Sequence, residues 1–164
     1  MEQKIEDLTE KERAWIQQQL AGAAKLVEIM TPEAAAQPLT LNILDEAFAA
    51  WMAIEETDST VVNAVINRVG VAFGQFLVDK LPLRWVIATD QRGSDLAVYG
   101  LPGTGDVLLY PANFVAKRWE RRETQFLEKC YQEIATQVGA LSSQSGAEQI
   151  QAVPKGFFRR LFGK

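Results

Sequence analysis

Between Asp58 and Pro82 the apolar residues Val62, Val65, Ile66, Val69, Phe73, Phe76 and Leu77 recur at steps of three and four. That recurrence specifies a helix with a wide apolar stripe, which is stable only when another layer covers it. Asp58-Ser59-Thr60 supplies cap chemistry at its start. Leu81-Pro82 stops it, because proline has no amide and pushes the preceding residue out of the helical region. Directly after Pro82 the period changes. Residues 83–89 and 96–99 are short runs rich in β-formers, separated by Asp90-Gln91-Arg92-Gly93-Ser94-Asp95, where Gly93 is available for a positive φ. A striped helix followed at once by a hairpin implies helices packed on a sheet, the α+β class.

Two further helices precede this junction. Thr9-Glu10-Lys11-Glu12 reads as a capping box, and Ile16, Leu20, Ala23, Val27 and Met30 follow at helical spacing until Thr31-Pro32. After Pro38, Leu41, Leu44, Phe48, Trp51 and Met52 mark a second helix. Beyond the hairpin, residues 100–106 form a glycine-bearing loop before a third strand at 107–110. Pro111 or Ala112 then opens a helix whose stripe, Val115, Trp119, Phe126, Cys130, Ile134 and Val138, fades at Gly139. Residues 141–154 are rich in Ser, Gln, Gly and Ala without a period and read as a linker. The expectation is one α+β domain over residues 1–140. It has three N-terminal helices, a small antiparallel sheet of about three strands and a long C-terminal helix. A flexible linker and a basic amphipathic tail at 155–164 follow.

A chain of 164 residues buries roughly two-thirds of its unfolded surface, enough for one core. The N-terminus lacks the basic-then-apolar order of a secretory signal, and no apolar run approaches the roughly 20 residues of a membrane span, so the cytoplasm is the expected location. The single cysteine, Cys130, cannot form an internal disulfide and falls on the buried stripe. There is no histidine. That removes Ser-His-Asp and Cys-His nucleophile activation and every zinc motif built on His ligands. No catalytic residue, metal site or cofactor follows from the sequence.

The net charge of −4 conceals an asymmetry. Residues 1–154 carry 13 basic and 21 acidic groups, net −8, whereas Lys155, Arg159, Arg160 and Lys164 make the last ten residues +4. An acidic body repels phosphates, which disfavours a nucleic-acid role. In the tail Phe157, Phe158, Leu161 and Phe162 fall within an arc of about 140° on a helical wheel, with Arg159, Arg160 and Lys164 outside it. Such a segment suits an anionic membrane surface or the groove of a partner protein. Folding back onto the domain as a capping segment is the ordinary alternative.

Asp90 and Asp95 flank the hairpin loop and Asp106 closes the next one, so a divalent-cation or acid/base site is conceivable if they converge. Turn formation by aspartate is the simpler explanation. Gly100-x-x-Gly103-x-Gly105 does not continue as a phosphate-binding loop, since Asp106 and a strand follow. Lys117-Arg118-Trp119-Glu120-Arg121-Arg122 concentrates positive charge, interrupted by Glu120 and Glu123, and reads best as a solvated or salt-bridged face.

Phe73-Gly74-x-Phe76-Leu77, Leu83-x-Trp85, Asp90-x-x-Gly93-x-Asp95-Leu96-Ala97-Val98 and Pro111-x-Asn113-Phe114-Val115-Ala116-Lys117-Arg118 occur in that order. Over roughly residues 58–135 the chain resembles the uncharacterised bacterial family called domain of unknown function 3806. The resemblance implies an α+β module and no established activity. Its motif charges map onto Asp90, Asp95, Lys117 and Arg118, and Asp95 is expected to pair with Lys117 or Arg118 as the helix packs by the sheet. The leading expectation of function is a non-catalytic interaction or adaptor module acting through its tail. A small-ligand or metal-binding protein or enzyme using the hairpin carboxylates is the alternative, and an immunity-type protein neutralising a toxin is a third.

Overall fold

The computed structural model describes residues 3–143. The linker and tail expectations fall on residues 144–164, outside the described residues, apart from the first three linker positions, which are helical.

Helix α1 spans Glu10–Met30, and Glu12 accepts the Thr9 amide at 2.6 Å as the reciprocal half of the capping box. A 3₁₀ turn at Pro32–Ala34 leads to α2, Leu41–Met52, where the Thr40 hydroxyl accepts the Ile43 amide. Asp58 caps α3, Ser59–Lys80, by accepting from Thr60 and Val61. By length and composition α3 is the one described helix apolar enough to cross a membrane. In this fold it is the central packing element, with Val69, Phe73 and Leu77 fully buried.

The sheet is antiparallel with strand order β1-β2-β3-β4: Lys4–Glu6, Leu83–Asp90, Gly93–Gly100 and Val107–Leu109. It therefore has four strands rather than about three. The added strand is the polar triplet at the N-terminus, where Ile5 pairs with Ala88. Three residues with one apolar side chain carry no period, so nothing in the sequence marks them as a strand. The hairpin is tighter than the six-residue loop expected. Asp90 pairs with Gly93, leaving Gln91 and Arg92 as the two turn residues, and Gly93 takes φ 131°. On one sheet face Leu83, Val98, Val107 and Leu109 join the helical core; on the other, Val86, Ala88, Ala97 and Tyr110 form a smaller cluster.

The expected continuous helix from Pro111 to Val138 is two helices, α4 at Pro111–Glu120 and α5 at Leu127–Ser143. Arg122 enters the left-handed region (φ 56°), and the Arg122 and Glu123 amides bond back to the Trp119 and Arg118 carbonyls, the double closure that ends a helix. No glycine or proline announces this stop. Trp119 and Phe126 stand seven positions apart on the apolar stripe, and the break falls between them.

What holds sheet and helices in register is the absence of side chains at two positions of α3. A Cβ on Gly70 would lie 2.6 Å from the Ala112 Cα, and one on Gly74 would lie 2.3 Å from the Trp85 ring and 2.9 Å from Pro111 Cγ. The two glycines are one turn apart on α3, so they open a single flat strip against which β2 and the start of α4 rest. Phe73 stacks on Phe114 of α4 at 5.5 Å beside this strip. Gly74→Ala is expected to destabilise by about 1–3 kcal/mol through overpacking against Trp85, outweighing the gain in helix propensity of under about 1 kcal/mol. Urea unfolding monitored by circular dichroism measures it, and a more stable variant would contradict the close packing.

Candidate functional site

The contact strip on α3 borders two concavities that share Trp85. The first is a cavity of about 200 Å³. It lies where α1, α3, β3 and the first turn of α4 meet, with Trp15, Asn67, Trp85, Asp95, Tyr110 and Asn113 among its lining. The second is a more open cleft of about 740 Å³ between the start of α1, the end of α3 and β2. Leu8, Arg13, Ile16, Gln75 and Arg84 contribute to it, and an Arg84–Asp7 ion pair crosses its rim. Trp85 is half buried and fixed from the cleft side, its indole N–H donating to Gln75 Oε1 at 2.9 Å.

The hairpin carboxylates do not converge with Asp106. Asp90 accepts the Arg92 amide at 2.7 Å, an Asx turn at the hairpin tip, and Asp95 lies opposite Ala88. Asp106 belongs to the other end of β3, where it accepts from the Gly103 amide at 3.0 Å and the Tyr99 hydroxyl at 3.3 Å. Gly100, which pairs with Val107, stands five positions along the extended strand from Asp95, so about 16 Å of sheet lies between the two ends. Among the described residues no group of three or more Cys, Asp and Glu side chains is placed to hold a metal ion.

The motif cations divide. Arg118 turns into the protein: its guanidinium lies 4.8 Å from the Phe114 ring centroid and 6.0 Å from that of Phe126, and it bonds Glu123 at 2.8 Å. Arg121 lies 3.9 Å from the same carboxylate, and Arg122 covers Trp119 at 5.6 Å. The basic stretch is thus a salt-bridged and stacked corner. Lys117 stands one turn beyond Asn113, on the helix face that borders the cavity with Asp95. Cys130 is buried below Arg118; burial pushes its thiol above the ordinary range, with the nearby guanidinium pulling the other way.

One important carboxylate escapes sequence reasoning altogether. Asp45, on α2, is 5% exposed, and its two oxygens accept from the amides of Phe126, Leu127 and Glu128 at 3.0–3.3 Å. It supplies from 81 to 83 residues away the cap that the start of α5 needs. The available signal was an acidic residue amid the buried set Leu41, Leu44, Phe48 and Trp51, where an unpaired charge is not tolerated. Burial raises the Asp45 carboxyl above its ordinary value, opposed by the Leu127, Glu128 and Phe126 amides and reinforced by the Glu128 charge. Asp45→Ala strands three amides and is expected to cost about 2–3 kcal/mol in chemical unfolding. The sign of the pH effect follows from the raised folded value. The protonated form's contribution is complete below the unfolded carboxyl value of 3.8 and is lost as pH rises through the folded one. Wild type should therefore lose stability relative to Asp45→Asn as pH is raised from about 4 towards neutrality. Parallel curves for the two proteins would show that Asp45 does not titrate differently on folding.

The family model described as Domain of unknown function (DUF3806) matches residues 45–131, more than half of the chain. No curated protein and no solved structure matches. The matched span opens at Asp45 and takes in α3, the hairpin, β4, α4 and the first turn of α5. It thus contains both the glycine strip with its partners and the carboxylate together with the amides it caps. The chain belongs to the family of Domain of unknown function (DUF3806).

Proposed function

We propose that this chain is a non-catalytic interaction module of the cytoplasm, in which residues 155–164 contact a partner protein or an anionic membrane surface. The observation that carries the reading is the segregation in the last ten residues. On a helical wheel Phe157, Phe158, Leu161 and Phe162 fall within one arc, Lys155, Arg159, Arg160 and Lys164 supply +4, and the preceding body is −8. Long-range attraction to an anionic surface is thereby confined to one end of the chain. The engagement of Asp45, Asp90 and Asp106 with backbone amides supports the same reading, because each has a structural task in the fold.

Basic residues near an anionic surface contribute about 1 kcal/mol each, so deleting residues 155–164 should weaken association with phosphatidylserine vesicles at least tenfold in flotation. If the contact is with a protein, the same deletion removes the partner from a pull-down and leaves flotation unchanged. Intact behaviour in both assays would refute the tail's role.

In this reading the motif charges are register-fixing groups: Asp95 pairs with Lys117, since Arg118 is committed to Glu123. A double-mutant cycle on Asp95→Ala and Lys117→Ala should give a coupling of about 0.5–1 kcal/mol in urea unfolding. Strict additivity would dismiss the pair.

A further inference from the structure

The acidic charge of the body is gathered in one stretch of chain. Residues 26–67 hold seven carboxylates and no lysine or arginine, so −7 of the body's −8 lies there. Two of the seven are engaged elsewhere: Asp45 is buried under the start of α5, and Glu28 pairs with Lys25 at 3.0 Å. Glu33, Glu46, Glu55, Glu56 and Asp58 are in no ion pair among the described residues. Glu56 and Asp58 accept only backbone amides. The next cation along α3, Arg68, stands ten positions beyond Asp58 and lies against Gly22 of α1. The helix ends do not reverse the sign. About half a positive charge at the start of α3 is offset by the negative ends of α1 and α2.

The same end carries exposed apolar surface. α1 and α3 are antiparallel: Ile16 and Gln17 line the open cleft with Gln75 and Val78, and Gly22 meets Arg68. Two turns further on, Ile29 comes level with Val61. Ile54 stands on the connection from α2 to α3. These three, at 60%, 40% and 58% exposure, are three of the four exposed large apolar side chains among the described residues. Large apolar groups held in water beside an uncompensated charge mark a contact surface.

From this juxtaposition we infer that the acidic pole docks residues 155–164 of the same chain. That segment is the complementary set, +4 with Phe157, Phe158, Leu161 and Phe162. The other basic run is committed within the fold, Arg118 to Glu123 and Arg122 to the Trp119 ring. The tail reaches. Leu141, near the end of α5, packs at Gly105, in the loop that leaves Gly100 beside Pro82 and the end of α3. From there to Val61 is about the length of α3, roughly 30 Å. Residues 144–154 extend to about 36–40 Å. A tether that spans its site acts at about millimolar effective concentration, so in dilute solution a chain's own tail outcompetes that of another copy. Exposed ion pairs contribute up to about 1 kcal/mol each, so the contact is reversible, and an external anionic surface competes for the same residues. Docking stands on the charges and the exposed side chains alone; only the competition rests on the reading of the tail given above.

The test uses the full chain with a nitroxide on Gly163→Cys, the buried Cys130 staying unlabelled, and follows amide NMR intensities. Intensities at residues 28–34 and 53–61 should fall at least twofold while those at the hairpin tip do not. Raising sodium chloride from about 0.05 to 0.5 M should restore them through screening. Glu33→Lys with Glu55→Lys, and separately Ile29→Ser with Ile54→Ser, alter exposed side chains, and each pair should restore at least half of the lost intensity. Isotope-labelled chain without nitroxide, mixed with nitroxide-bearing chain, should show no loss; loss there assigns the contact to a second copy and overturns docking within the chain. Uniform intensities, losses centred elsewhere, or losses that both double variants leave intact overturn the inference as well. Ile29→Ser with Ile54→Ser, which adds no charge, should also strengthen binding to phosphatidylserine vesicles at least twofold by freeing the tail. The NMR losses with vesicle binding unchanged would leave the docking in place and count against the membrane reading of the tail.

Discussion

The close approach of α3 to Trp85, Pro111 and Ala112 is the contact on which the arrangement depends. With side chains at Gly70 and Gly74, the sheet and α4 could not both reach α3, since each added carbon would lie within 3 Å of a ring or backbone atom. Glycine inside a helix costs about 1 kcal/mol relative to alanine, so two of them on one face are a local sacrifice to packing. The return is that Phe73, Phe114 and Phe126 meet as a chain of ring contacts at 5.5 Å, joining the helix before the sheet to the two helices after it. Local preference and global fold disagree at these two residues, and packing wins.

A second constraint acts across the other end of the molecule. The apolar period through residues 111–138 favours one helix, yet the chain stops at Glu120 and restarts at Leu127. The stop is made locally, by the left-handed Arg122 and the bonds that close over it. The restart is made remotely, because the first amides of α5 are satisfied by Asp45 of α2. A helix start buried against another helix has no water to receive its orphan amides, so it must be given an acceptor by the protein. Phe48 and Phe126, in edge-to-face contact at 6.1 Å, seal the same corner. The ends of the family match, at Asp45 and four residues into α5, coincide with this pair of elements.

These two constraints explain what was legible beforehand. Elements with a strong period or a recognisable cap were readable: α1 from its capping box, α3 from Asp58 and Pro82, the hairpin from its β-formers and Gly93. β1 was not, because three residues with a single apolar side chain become a strand only when an existing edge of β2 accepts them. The α4–α5 corner was not, because arginine rather than glycine occupies the left-handed position and the cap comes from another helix. For the candidate site, Asp95 stood out in sequence for its place beside a turn, while Trp15, Trp85 and Tyr110 lie 80, 10 and 15 positions from it, intervals that no spacing rule connects. Their convergence is a product of the tertiary fold.

The cavity follows from the same glycine strip. Because α3 presents a flat surface there, Trp85 and Pro111 seat against it side by side, and the space beyond their edges is bounded by α1 on one side and β3 on the other. Filling that space with a larger residue on α3 would displace the very contacts that position α4. The fold therefore leaves a small hollow at its most tightly packed junction, beside one carboxylate and between fixed aromatic rings. Its walls are the elements that hold the sheet to the helices.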